Sequence, residues 1–338
     1  MKHVFSVSSH LTFYISKRIA DLDNIAADDC IFILLRNYHI PEQYYSRFPH
    51  QIGTSYNVDQ KTGRVFAGRH IMQTNRNIRE FDELVDPYLG GEDFIFYTQV
   101  CSNDITSLMV TKSNCRGFYV IEDGFPSYLR CNPQTFTGYR YWIYKLLLCP
   151  IWRRLFDVKN HFISSDHKKF LGCIATQQSG FPMHQDCLRV VGIPFEKTES
   201  DSYPDAIISV DPLYNVLSNE QVDDIYAKVA AFMEQFHYQK VAFKMHPRFD
   251  APQNTAHRQV YLDMLHRHFG NEIEQLPASA VLENMINAHP SDFYSLSSSV
   301  SIYASQMGAK CFSYMNLLEG TPAYNQNWII EASNSPIV

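Results

Sequence analysis

Val241-Ala-Phe-Lys-Met-His-Pro-Arg248 is an apolar run that stops at Lys244 and then presents His246, Pro247 and Arg248. The first half, Val241 to Phe243, reads as a buried strand. The second half reads as the polar loop leaving it. Lys, His and Arg gathered at the carboxyl end of a buried strand make an anion site, and in open α/β sheets ligands bind outside that end. Pro247 fixes its own φ and biases Met245-His246 toward extended geometry, which holds the imidazole on a stiff loop.

The residues around this stretch repeat the pattern of apolar strand, then helix. Ala206-Ile-Ile-Ser-Val210 reads as a strand that turns at Asp211-Pro212. Ser218-Asn-Glu-Gln221 is a capping-box pattern, and Val222, Ile225, Tyr226, Val229, Met233 and Phe236 keep helical spacing behind it. Beyond Arg248 the pattern predicts a helix near 255–268 and a short strand at Glu272–Leu276. A helix entry follows at Pro277-Ala-Ser279, with Glu283 early in that helix. Asp292–Leu296 then reads as a strand running into Ser297-Ser298-Ser299, followed by a helix and a last strand at Lys310–Met315.

The N-terminal half reads the same way. Val4–Val7 is a strand, followed at once by a helix through Leu11, Tyr14, Ile15 and Ile19, which opens a βαβ unit. Cys30–Leu35 is a continuous apolar run, as a parallel sheet covered on both faces requires. The order of elements between 36 and about 70 is not legible. A helix over 76–88, strands at Asp93–Thr98 and Gly117–Ile121, a helix from Asn103 and a weaker apolar piece at 170–175 follow. The strand at Gly117–Ile121 ends in Glu122-Asp123-Gly124. Around 194–205 two prolines flank a polar run, which marks a linker. These features predict an α/β protein of two domains. The N-terminal domain covers 1–195 and the C-terminal domain 196–338, with the tail packing back on the first domain.

With 338 residues the chain suits two cores, and 45% hydrophobic and 14% aromatic residues suit large ones. A net charge of -6 excludes nucleic-acid binding by bulk charge. The eight cysteines are irregularly spaced without a C-x-x-C pair, which points to reduced, buried thiols. Met1–Ser8 lacks an apolar stretch of signal-peptide length, and no apolar run reaches the ~18 residues of a membrane span. The expectation is a cytoplasmic protein. Residues 138–154 mix Trp, Tyr, Arg140, Lys145, Arg153 and Arg154, and carry two readings: a peripheral contact with the inner membrane or an ordinary amphipathic cover helix.

Three strand ends therefore carry polar groups: Glu122-Asp123-Gly124, His246-Pro247-Arg248 and Ser297-Ser298-Ser299. Each has a plain reading, as a turn, a loop and a helix cap. Each also has a chemical one. A carboxylate takes a proton from an incoming hydroxyl, an imidazole neutralises a departing phosphate, and hydroxyls and amides opening a helix hold that phosphate. No H-E-x-x-H, Walker A or G-x-G-x-x-G string is present, and Asp21-Leu22-Asp23 sits after a helix, away from any strand end. No metal, NAD or ATP is expected.

Acid-acid-Gly, Lys-x-His-Pro-Arg and a serine cluster opening a helix, in this order, resemble the motifs of the bacterial sialyltransferases. The nearest likeness is to the lipooligosaccharide sialyltransferases and the capsular polysialyltransferases. The resemblance implies a GT-B fold, two Rossmann-like doubly wound domains facing each other across a cleft. It also implies metal-independent, inverting transfer of sialic acid from CMP-sialic acid to a hydroxyl of a surface glycan or glycolipid, on the cytoplasmic face of the inner membrane. By that resemblance Glu122 is the base, with Asp123 second, and His246 assists departure of the CMP phosphate. Ser297, Ser298 and Ser299 bind the phosphate, with the register of the pair open. Lys244 and Arg248 add positive field, or are loop charges. Glu283 binds the CMP ribose, or is a first-turn helix acid favoured by the dipole. Two other readings stay open: another CMP-linked nonulosonic acid or Kdo as donor, and a non-catalytic glycan-binding or assembly protein of the same fold. Acceptor, linkage, polymerisation and oligomeric state are not legible.

Overall fold

The structure, a computed structural model, describes residues 1–35, 38–53, 68–99, 104–128, 167–197, 202–296, 298–321 and 335–336. The segment 138–154 and Ser297 lie outside the described residues. The chain divides into two units, Met1–Pro194 and Phe195–Val338.

Unit 1 is built on a seven-stranded sheet with every described pair parallel. In chain order its strands are β1 (Lys2–Val7), β2 (Cys30–Leu34), β3 (His50–Gly53), β4 (Phe94–Thr98), β5 (Cys115–Ile121), β6 (Phe170–Ala175) and β7 (Leu188–Val190). In space they run β3-β2-β1-β4-β5-β6-β7. The helices are α1 (His10–Leu22), α2 (Gly68–Leu89) and α3 (Asp104–Val110). Helix α1 starts where it does because Ser9 and Thr12 cap each other's backbone N–H. It lays Phe13 on the sheet face carrying Phe5 and Phe32. Helices α2 and α3 cover the other face, packing Ile78, Phe81, Val85 and Leu108 on Val4, Ile31, Phe96 and Phe118. Sheet order reverses between β1 and β4.

Unit 2 repeats the plan with β8 (Ala206–Val210), β9 (Val241–Met245), β10 (Glu274–Gln275), β11 (Asp292–Ser295), β12 (Cys311–Ser313) and β13 (Ser335–Pro336). The spatial order is β10-β9-β8-β11-β12-β13, again parallel throughout the described pairs. The described tail residues thus extend unit 2's own sheet, Ser335 pairing with Phe312. Helices α4 (Asn219–Met233) and α5 (Thr255–Phe269) cover one face, and α6 (Leu282–Ala288) and α7 (Ser299–Gln306) the other. The Ser218–Gln221 capping box forms as its spacing predicts. Sheet order reverses between β8 and β11. Crevices for ligands lie at such reversals, outside the carboxyl ends of the strands.

Several boundaries differ from the sequence reading. Strand β9 continues through Lys244 and Met245, because these pair with Ser209 and Val210 of β8. The helix after Pro277 starts only at Leu282, with Val281 at its cap and no side chain bonding the turn. Helix α2 begins at Gly68, eight residues before the expected start.

Candidate functional site

In unit 1 the expected carboxylates follow β5. Glu122 is 0% exposed. Its Oε1 accepts from the Tyr128 hydroxyl at 2.6 Å, and its Oε2 from the Thr176 N–H at 2.7 Å and the Thr176 hydroxyl at 2.8 Å. Thr176 follows β6, so this one carboxylate ties two neighbouring strand ends together. Burial, and then the Glu122 charge, push the Tyr128 phenol far above its usual range, so it stays a donor. Gly124 turns the chain at φ +74, where a side chain would be strained. The Ser127 hydroxyl, accepting from the Asp123 N–H at 3.0 Å, closes the loop. Asp123 is half-buried, one residue beyond the closed Glu122 network.

In unit 2 His246 follows β9 directly, and its backbone N–H donates to the Val210 carbonyl of β8 at 3.0 Å. The ring caps the 3-10 turn Pro247–Asp250: its Nδ1 accepts from the Arg248 N–H at 3.1 Å. That bond places the proton of the neutral imidazole on Nε2, which meets no hydrogen-bond partner among the described residues. Burial, and then the Arg248 charge, hold the imidazole below its ordinary pKa. At neutral pH His246 is therefore an uncharged donor through Nε2. The Arg248 side chain is exposed beside it.

Across the crevice Ser298 caps α7, its hydroxyl accepting from the Val300 N–H at 3.3 Å, and Ser299 opens the helix. Both are half-buried. The order β9-β8-β11 puts one strand end, that of β8, between His246 and these serines.

Lys244 and Glu283 lie below this edge. The Lys244 ammonium donates to the Ala280 carbonyl, and burial lowers its pKa against the opposing charges of Glu283 and Asp250. Burial raises the pKa of Glu283, and the Lys244 charge opposes that shift. Each charge therefore favours the ionised form of the other.

Two features escaped the sequence reading. Lys244 pairs with Ser209, and Ser295 pairs with Ser313. Together they make a polar row across four adjacent strands, directly beyond the apolar row Ala242, Ile207, Phe293 and Cys311 on the face of α6 and α7. The Ser295 hydroxyl is buried without a hydrogen-bond partner among the described residues. The second feature is Asp211, at the end of β8. It is half-buried, accepts from the Leu296 backbone N–H and, at 3.4 Å, from the Tyr314 hydroxyl, and burial pushes its carboxyl up to about 6. In sequence Asp211-Pro212 looks like a turn; only the sheet order shows that it stands at the crevice.

Among the described residues no three His, Cys, Asp or Glu side chains gather as a metal cluster, and no helix is long and apolar enough to cross a membrane. The described cysteines, Cys30, Cys115, Cys173, Cys187 and Cys311, are free thiols.

No protein-family model matches the chain, and no curated protein sequence does. Solved structures do. A co-structure of S. aureus MnaA with UDP aligns with a TM-score of 0.53 at 10% identity, covering 96% of this chain and 80% of that one. The UDP-GlcNAc 2-epimerase of Methanocaldococcus jannaschii aligns with a TM-score of 0.53 at 13% identity, over 100% of this chain and 89% of that one. The same enzyme in complex with UDP-GlcNAc and UDP gives 0.51 at 13% identity over 100% and 89%. At these identities the likeness establishes the fold alone: α/β, two Rossmann-like domains, of the GT-B type.

Proposed function

We propose that the chain is a nucleotide-sugar enzyme that transfers sialic acid from CMP-sialic acid to a glycan hydroxyl, with inversion and without a metal. The observation that carries this reading is His246. It stands beside the switch point of unit 2, is neutral, and is fixed by the Arg248 N–H so that Nε2 donates outward. A donor so placed suits a phosphate that must leave. The acceptor hydroxyl oxygen attacks the anomeric carbon and loses its proton to a carboxylate of the Glu122-Asp123 pair. The bond from that carbon to the phosphate oxygen breaks, and CMP departs against His246 and Ser298–Ser299, with Ser297 completing the expected cluster. The Glu122 carboxylate is already engaged by the Tyr128 hydroxyl and by the Thr176 N–H and hydroxyl, whereas Asp123 stands nearer solvent. Glu283 is the proposed ribose contact, with Lys244 and Arg248 adding positive potential. The reading requires both strand edges to reach one substrate pair, and the acceptor to be a surface glycan or glycolipid.

A second reading keeps the same edges and changes the nucleotide. The solved structures that share the fold include complexes with UDP and with UDP-GlcNAc, which favours a UDP-sugar substrate. One assay separates the two. Purified protein is incubated with CMP-sialic acid, with and without lactose, and in parallel with UDP-GlcNAc. CMP release that needs the acceptor and falls at least ~100-fold in His246→Ala supports sialyl transfer. Conversion of UDP-GlcNAc with no CMP release establishes the second reading. Equal CMP release by wild type and His246→Ala refutes the role of His246.

A further inference from the structure

Asp211, at the unit 2 crevice, has no part in this mechanism. Sheet order places it there: β8 is the central strand, flanked by β9 with His246 and by β11 with the serines, and neighbouring strand ends lie ~4.8 Å apart. The carboxyl is held in place. The Leu296 N–H that it accepts belongs to the turn leading into Ser298–Ser299, and the Tyr314 hydroxyl approaches from β12. A carboxylate here is paradoxical for a phosphate site, because an ionised group would repel the ligand that His246 and the serines attract.

We propose that Asp211 is a leaving-group residue of this site, taking up a proton when a nucleotide phosphate settles between His246 and Ser298–Ser299, and meeting that phosphate as a neutral carboxyl donor. The inference rests on the nucleotide-binding reading above. The proton comes from solvent on binding and forms the Asp211 O–H, which donates to a phosphate oxygen. On departure of the nucleotide it returns to solvent or leaves on the phosphate.

The surroundings allow this. The titratable groups packed about Asp211 are Tyr314 from β12, Tyr226 from α4 and Tyr261 from α5, all kept protonated by burial. From β9 comes His246, with Arg248 beyond it. Among the described residues no lysine or arginine pairs with the carboxyl; the Leu296 N–H and the Tyr314 hydroxyl favour its anion, but burial outweighs them, and its pKa of about 6 lies within reach of neutral pH. An anionic neighbour raises that value further. Uptake of up to about one proton per nucleotide at pH 7 follows, with affinity growing by up to about tenfold for each unit of falling pH.

The test is calorimetric. The methyl esters of cytidine and uridine 5′-monophosphate, whose phosphodiesters do not titrate between about pH 5 and pH 9, are titrated into the full chain at pH 7 in buffers of different ionisation enthalpy. Proton uptake by the wild type and none by Asp211→Asn is the expected result. Binding without uptake overturns the proposal on the wild type alone, whether or not the variant folds. Unchanged uptake in Asp211→Asn also overturns it, making His246 the proton acceptor. Binding of neither ester overturns the nucleotide reading and this proposal with it.

Discussion

Glu122 decides whether the first strand-end acid is a reacting group or a structural tie, and its hydrogen bonds give the expected numbers. Glu122→Gln keeps the shape and removes the charge. The amide oxygen still accepts from the Thr176 N–H, the amide nitrogen donates to the Tyr128 oxygen, and the Tyr128 hydroxyl turns to Thr176 Oγ1, already 3.2 Å away. No buried group is orphaned, so the loss is that of charge assistance, about 1–2 kcal/mol. Glu122→Ala strands the Thr176 N–H beside a cavity, with the Tyr128 hydroxyl again left to Thr176 Oγ1, and costs about 3–5 kcal/mol. Urea unfolding followed by fluorescence measures both, and the CMP-release assay is run on the folded fraction. If Glu122 is the base, Glu122→Gln lowers turnover at least ~100-fold while the fold is weakened only by the smaller amount. If it only ties β5 to β6, Glu122→Gln transfers at near wild-type rate and Asp123→Asn carries the loss. An unfolding midpoint for Glu122→Ala equal to that of wild type would refute the network itself.

Two further outcomes concern unit 2. The Asp211 carboxyl titrates at about 6 in the fold against 3.8 for an ordinary aspartate, so the folded state binds its proton more tightly than the unfolded chain does. Ionised Asp211 therefore destabilises the fold by on the order of 3 kcal/mol above pH 7, and the penalty fades as pH falls through 6 toward 4. Asp211→Asn is expected to raise the unfolding midpoint at pH 8 and to leave it near wild type at pH 4; a lowered midpoint at pH 8 would show a structural carboxylate instead. Ser295→Ala removes a buried hydroxyl that has no partner among the described residues, and is expected to leave stability unchanged or to raise it by about 1 kcal/mol in thermal unfolding. A drop beyond 1 kcal/mol would show that the hydroxyl is satisfied.

Much of this architecture is legible in the sequence, for reasons tied to burial. Cys30–Leu34 is covered on both faces, so it reads as an uninterrupted apolar run. Ser218 and Gln221 act locally, so their spacing alone reveals the cap. The edge strands give no such signal. His50–Gly53 buries only Ile52, and Leu188–Val190 has no fully buried side chain. The order of strands was the larger gap. His246 and the serines are recognisable as polar groups after apolar runs. Asp211 becomes visible only once β8 is known to be the centre of its sheet, because register across strands is not written in any one of them.

That central placing of β8 also orders events as the chain is made. The strand that begins unit 2 pairs first with β9, β10 then adds to the far side of β9, and the half-sheet carrying Asp211 and His246 is complete in sequence by Gln275. Ser298 emerges about 50 residues after His246, a delay of roughly three to ten seconds at the pace of synthesis. Until β11 docks, the inner edge of β8 is unpaired, and the ligand crevice has one wall. A nucleotide that touches both walls is then a clasp on the last seam of the domain to close. Its presence should slow opening along the β8–β11 seam more than anywhere else in the unit, as hydrogen exchange at Ile208 and Tyr294 would report.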